Sequence, residues 1–272
     1  MPVYTLTEIN IYPIKSLGGI TVKTAQVEKR GLQYDRRWML VDSKGNFLSQ
    51  RQHAQLALLQ VEITANGLLI THKTKEINPL TIPFEANDEK SLLVNIWNDV
   101  CFAFEVTPEA NAWFSTVLEI PCKLVYMPDN AMRSVDPEFG RPRDIVSFAD
   151  AYPFLIIGEE SLNDLNQKLE EPIPMNRFRP NLVFSGGEAF DEDTWTEFSI
   201  GETTFYPVKP CYRCVVTTID QNSGEKSAEP LKTLSTYRLG SNNKVKFGQN
   251  LVHTGLGNFL EVGQTLEVVD FI

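Results

Sequence analysis

Hydrophobic positions early in the chain fall into short runs that stop at turn-forming residues. Trp38-Met39-Leu40-Val41-Asp42 ends before Lys44-Gly45-Asn46, and Gln60-Val61-Glu62-Ile63-Thr64 and Leu68-Leu69-Ile70-Thr71 flank Ala65-Asn66-Gly67. Short length, β-branched content and Asn/Gly turns predict strands joined by hairpins. Residues 92–97 and 101–106 predict a further hairpin, turning through Asn98-Asp99. Helical spacing enters later. Thr107-Pro108-Glu109 supplies an N-cap, a proline at the first helical position and an acidic first turn, predicting a helix over 108–119 that ends before Pro121. Leu162, Leu165 and Leu169 predict a second helix over 159–170, and Leu231 and Leu234 a short third over 230–237.

Strands outnumber helices and do not alternate with them as a doubly wound sheet requires. The expected fold class is therefore mainly β (α+β): a β-barrel domain preceded by a β-rich N-terminal domain, with few peripheral helices. The helix at 108–119 and the prolines Pro121, Pro128 and Pro137 mark a seam, giving expected domains of 1–120 and 121–272.

Charge narrows the partners. With 25 basic and 35 acidic residues among 272, the formal charge is −10, which argues against a nucleic-acid binder. No apolar run approaches the ~20 residues of a membrane span. The start of the chain, Met1-Pro2-Val3-Tyr4-Thr5, has neither the basic cluster nor the apolar run of a signal peptide. Four cysteines are too few for a disulfide framework, so a reducing cytoplasm is the expected setting.

Candidate chemistry concentrates in four segments. In Lys209-Pro210-Cys211-Tyr212-Arg213-Cys214-Val215-Val216-Thr217-Thr218, the Cys-x-x-Cys pair precedes what reads as strand sequence, which disfavours a thioredoxin-like site. A zinc site would need further ligands, and Cys101, Cys122, His53, His72 and His253 stand in no ligand spacing. Three readings stay open: a zinc site completed by distant ligands, buried thiols packed as small hydrophobes, or one thiolate offered from a strand entry to a metal whose other ligands arrive with a cofactor. Tyr12-Pro13-Ile14-Lys15-Ser16-Leu17-Gly18-Gly19 places a cation, a hydroxyl and paired glycines after a strand, a pattern suited to an anion but also to a plain turn. Gly31-Leu32-Gln33-Tyr34-Asp35-Arg36-Arg37-Trp38 and Arg177-Phe178-Arg179-Pro180-Asn181 set arginines beside strands, and Arg133, Arg141 and Arg143 form a third group. Each arginine alone reads as a salt bridge; together they are expected to converge on one anionic ligand. Asp150 stands before an apolar strand, where it orients a ligand or caps a turn.

These segments, in this order and with Phe247-Gly248-Gln249-Asn250 near the end, resemble the MOSC superfamily, in the group with an N-terminal MOSC β-barrel domain that includes the amidoxime-reducing components. The resemblance implies a molybdenum cofactor between the two halves, with Cys214 as metal ligand and catalytic residue. It implies that Lys15, Ser16, Arg36, Arg179 and Asn181 hold the pterin and its phosphate, with Asp150 and Thr217 as further cofactor-binding positions. A pterin dithiolene brings two sulfurs of its own, so the protein need supply only one soft thiolate. The implied activity is reduction of N-hydroxylated substrates such as amidoximes and hydroxylamines. The alternative is a molybdenum cofactor or sulfur-carrier module without turnover. Pyridoxal phosphate binding is a further property associated with the family. No cysteine follows Cys214, so no ferredoxin-type cluster is expected within this sequence, and an external electron-transfer protein of ferredoxin, flavoprotein or cytochrome b5 type is the expected partner.

Overall fold

Alternation of buried and outward side chains makes the second half of the chain, together with its first strand, close on itself. The computed structural model describes residues 2–84, 90–240 and 243–271. Seven strands form a closed barrel in the order Tyr4–Ile11, Leu182–Ser185, Phe154–Gly158, Lys246–Thr254, Thr203–Tyr212, Trp195–Ile200 and Thr265–Phe271, which returns to Tyr4–Ile11. Leu182–Ser185 and Phe154–Gly158 run parallel, and the other neighbours are antiparallel. Phe154, Phe184, Trp195, Phe198 and Phe205 fill the interior, with Phe198 and Phe205 stacked at 5.2 Å. Each such aromatic contributes roughly 1.5–3 kcal/mol by leaving water.

The second body is a four-stranded sheet, Trp38–Val41, Lys123–Tyr126, Asp99–Glu105 and Ser91–Ile96, and a three-stranded one, Leu59–Thr64, Gly67–His72 and Leu80–Ile82. Helix α1 (Pro108–Leu118) covers them with Ala110, Phe114 and Leu118. Its start is as expected, with Thr107 accepting from the Ala110 N–H at 3.1 Å. The expected seam at 120/121 is crossed in both directions: Lys123–Tyr126 pairs with Trp38–Val41, while Tyr4–Ile11 belongs to the barrel.

Three expectations change. Helix α2 (Glu159–Asn166) stops short of 170 because the Asn166 amide turns to the backbone of Ile173, accepting from its N–H at 2.9 Å and donating to its C=O at 3.1 Å. The third helix spans only Leu231–Leu234. The 92–106 hairpin turns one residue early, at Trp97-Asn98, with Ile96 opposite Asp99 and Trp97 at φ +55°. Among the described residues no helix is long and apolar enough to cross a membrane.

Candidate functional site

The turn after the first barrel strand is fixed by backbone pairing, with the Lys15 N–H donating to the Trp38 carbonyl at 2.8 Å. Lys15 and Ser16 therefore face a cleft where the barrel meets the second body. The cleft is open to solvent and holds a cavity of about 170 Å3. Lys15, Ser16, Arg36, Asp150, Arg179, Asn181, Cys214 and Thr217 all line it, so the eight positions expected from the sequence are brought together.

Tyr12 organises the arginines. The Arg36 and Arg179 guanidinium carbons lie 4.2 and 4.3 Å from the centre of its ring. Both residues occupy left-handed backbone, Arg36 at φ +50° and Arg179 at φ +55°, an uncommon conformation held by the surrounding bonds. Arg36 clamps both oxygens of buried Asp35, at 2.7 and 2.6 Å, and Asp35 also accepts from the Tyr12 N–H. Among the described residues Arg179 has no carboxylate partner. Burial, with Arg36 adding repulsion, pulls its basicity down to about 10.

Lys15 is almost fully buried and donates to the Phe148 carbonyl at 2.8 Å and to Asp150 at 2.5 Å. Burial lowers its pKa to about 8, against the opposing pull of Asp150. At Asp150 the surrounding protein disfavours charge, yet Lys15 and Arg51 prevail and hold the carboxyl well below the usual carboxylate range. Five cations, Lys15, Arg36, Arg51, Arg179 and Arg213, line the cleft against Asp150 as the one acid. In a chain of charge −10 this local excess of positive charge is suited to an anion.

Cys214 follows the end of strand Thr203–Tyr212, so the thiol is offered from a strand exit rather than an entry. The next residues, Val215–Thr218, form a 3-10 turn and not the expected strand. The Thr217 hydroxyl donates back to the Cys214 carbonyl at 3.0 Å and the Thr218 hydroxyl to that of Val215 at 2.8 Å, which outweighs the β-branched preference for strand. Cys211 also lines the cleft; burial pushes its thiol up, and Arg213 donates to its sulfur at 2.8 Å. Both cysteines are half-buried residues lining the cleft, so a fully packed pair of small hydrophobes is not what forms.

Other expectations are corrected. The paired glycines serve packing: a Cβ on Gly19 would lie 2.4 Å from the Tyr12 ring, and one on Gly18 2.7 Å from Gln60. Arg133 does not reach the cleft. It is buried on the carbonyls of Ser147, Ala149 and Asp150 and on Asp99, and thereby holds the Asp150 loop. Arg141 and Arg143 line a separate hollow beside His253. Asn181 spends its amide on backbone, donating to Asn10 at 3.1 Å and accepting from Leu155 at 3.3 Å. Sequence reasoning missed Arg51, whose Nε–H donates to the Cys214 sulfur at 3.3 Å, because Ser49-Gln50-Arg51-Gln52 carries no motif. It also passed over Arg213, whose Nε is buried without a partner and which sits inside the Cys-x-x-Cys segment, where its position was a usable signal.

Residues 3–121 match the MOSC N-terminal beta barrel domain and residues 143–267 the MOSC domain. The mitochondrial amidoxime-reducing component 1 of Mus musculus is 34% identical over 86% of this chain and 72% of its own length. That of Homo sapiens is 33% identical over the same shares, 86% and 72%. The molybdenum cofactor sulfurase of Homo sapiens is 31% identical over 98% of this chain, which spans only 32% of the sulfurase. With both domains matched in order and the closed barrel in place, the chain belongs to the MOSC superfamily, in the group that carries the N-terminal MOSC β-barrel domain.

Proposed function

We propose that this protein binds a molybdenum cofactor in the cleft and reduces N-hydroxylated compounds such as amidoximes and hydroxylamines. The observation that carries this reading is the cleft's charge: five cations to one carboxylate, with a thiol among them. The residues fit the group. Among the described residues Arg179 forms no ion pair and the Arg213 Nε is a buried donor without an acceptor, so an anionic ligand would satisfy both. In this reading Lys15, Ser16, Arg36 and Arg179 hold the pterin phosphate, and Cys214 gives its thiolate to the metal. Asn181, Asp150 and Thr217 act one step back, bracing respectively the strand start, Lys15 and the Cys214 turn.

When bound, the group supplies a two-electron redox centre able to cleave an N–O bond. Two protons and two electrons convert the N–OH compound to its amine-type product and water. The electrons come from an external electron-transfer protein, as no residue set in this sequence forms an iron–sulfur or flavin site.

Elemental analysis and pterin release on protein expressed in a cofactor-competent host test the reading. The expected result is about one molybdenum per chain and benzamidoxime reduction with an artificial reductant, but none with NADH alone. Cys214→Ser should lose turnover and keep pterin, and Cys211→Ser should keep both. Stoichiometric zinc without molybdenum, or full activity in Cys214→Ser, overturns it. The alignment of 98% of the chain with a sulfurase favours a second reading, a carrier without turnover. A persulfide on Cys214 without turnover would support that one.

A further inference from the structure

The Cys214 sulfur has one side-chain donor among the described residues, Arg51, at 3.3 Å through Nε. That guanidinium is held from several directions. Its carbon lies 4.2 Å from the centre of the Trp97 ring, and its Nη2 is 3.4 Å from Asp150 Oδ2. Trp97 is itself tied down: the indole N–H points at Asp150 Oδ1 from 3.4 Å, and the ring leans on Phe47 at 5.0 Å. Trp97, Arg51 and Asp150 thus close a triangle beside the thiol, and the hairpin tip that carries Trp97 reaches in from the second body.

An ion pair at 3.4 Å to a carboxylate that keeps 61% of its surface adds little stability, so the triangle is not explained as a fold-holding bridge. What it does fix is the direction of the Arg51 Nε–H. A stacked guanidinium has lost most of its rotational freedom before it meets a partner, and its planar fork keeps the donor aimed. The two thiols differ in this respect: the donor to Cys211 is Arg213, anchored on the Phe178 carbonyl, whereas the donor to Cys214 is anchored on the hairpin.

We propose that Arg51, held by Trp97 and Asp150, is a positioning residue that orients the Cys214 sulfur and raises the reduction potential of the metal centre bound to it. The inference rests on the function proposed above. A hydrogen bond to a metal-bound thiolate withdraws charge from the sulfur and favours the reduced, more negative state of the centre. Removing the donor therefore lowers the potential without removing the metal ligand.

The test is a potentiometric titration of the cofactor-loaded protein, following the paramagnetic molybdenum signal in wild type, Arg51→Gln, Arg51→Lys and Trp97→Leu, with molybdenum and pterin measured on each sample. Arg51→Gln is expected to shift the reduction equilibrium at least tenfold toward the oxidised state, about 59 mV for a one-electron couple. Arg51→Lys, which keeps the charge without the fixed fork, should fall between. Trp97→Leu should shift in the same direction as Arg51→Gln, since Arg51 loses its platform. Potentials equal to wild type in Arg51→Lys and Trp97→Leu overturn the proposal, even if Arg51→Gln does not fold. Wild-type protein that holds no molybdenum overturns the proposed function itself, and the metal measurement separates that outcome from failure of this inference.

Discussion

Replacing Arg179 by Gln should move the stability of the ligand-free protein and its hold on the cofactor in opposite directions. Among the described residues this guanidinium forms no ion pair in the cleft, and burial with Arg36 nearby outweighs the pull of Asp35 and Asp150, so its basicity falls from 12.5 to about 10. At 1.36 kcal/mol per unit, that amounts to about 3 kcal/mol of unfavourable charge at most. Water reaching the half-buried side chain screens part of it, leaving roughly 1–2 kcal/mol. Loss of the contact with the Tyr12 ring returns about 0.5–1 kcal/mol. The net gain is about 1 kcal/mol, or roughly 2–3 °C in the thermal midpoint of a chain this long. Cofactor binding loses a charge-assisted hydrogen bond of about 1.5–3 kcal/mol, so affinity falls about 10- to 100-fold. Calorimetric melting of cofactor-free protein and pterin retained after dialysis of loaded protein read the two effects. A variant that melts below wild type and retains pterin as well as wild type would refute the account of Arg179 as an uncompensated cation awaiting an anion.

Further outcomes follow from buried groups elsewhere. His253 is held neutral by burial, its pKa lowered from 6.5 to about 4, and its Nε2 faces the Glu28 carbonyl at 2.9 Å. Between those values the unfolded chain binds a proton the folded one refuses, so about 3 kcal/mol of stability is lost as pH falls from 6.5 to 4; His253→Gln should remove that loss in urea titrations. Glu192 runs the other way. Burial raises its pKa from 4.5 to about 7, against the opposing Ser161 hydroxyl, so the folded chain holds the extra proton and stability falls as pH rises from 4.5 to 7. Glu192→Gln should flatten that fall, by on the order of 3 kcal/mol at pH 8, as read from the same urea midpoints. Arg133→Met strips the donor from three backbone carbonyls and should lower stability by about 3 kcal/mol or more in equilibrium denaturation.

What the sequence disclosed was local or chemically marked. The hairpin at Thr64-Gly67 and the cap at Thr107 are settled within a few residues, and both form where expected. Barrel closure is of another kind. It pairs Leu6 with Phe184, and nothing in either segment names the other. The cleft residues were legible as residue types whose meeting could be inferred only from family resemblance. Arginine chemistry alone misled at Arg133, which satisfies carbonyls, because the same fork that suits phosphate also suits a bent loop. At Val215–Thr218, β-branching suggested strand, but hydroxyl back-bonding from Thr217 and Thr218 won. Arg51 was invisible because its role depends on Trp97, a hairpin tip from a different part of the chain.

The way the barrel closes has a bearing on how the protein is made. Tyr4–Ile11 is separated from its barrel partners by a long stretch of chain: Thr7 bonds to a carbonyl 176 positions further on, and the other barrel neighbour is Thr265–Phe271. Apart from its short local pairing with Ile20–Val22, the strand's edges wait for partners made much later and expose unpaired backbone until then, a state prone to association with other chains. Lys15 and Arg36 are displayed long before Arg179 and Cys214 exist, so the cleft is completed only when the last strands dock. Closure over such sequence distances is slow relative to local hairpin formation. An anion that binds the completed cleft would favour the closed state by mass action, making such a ligand a participant in maturation.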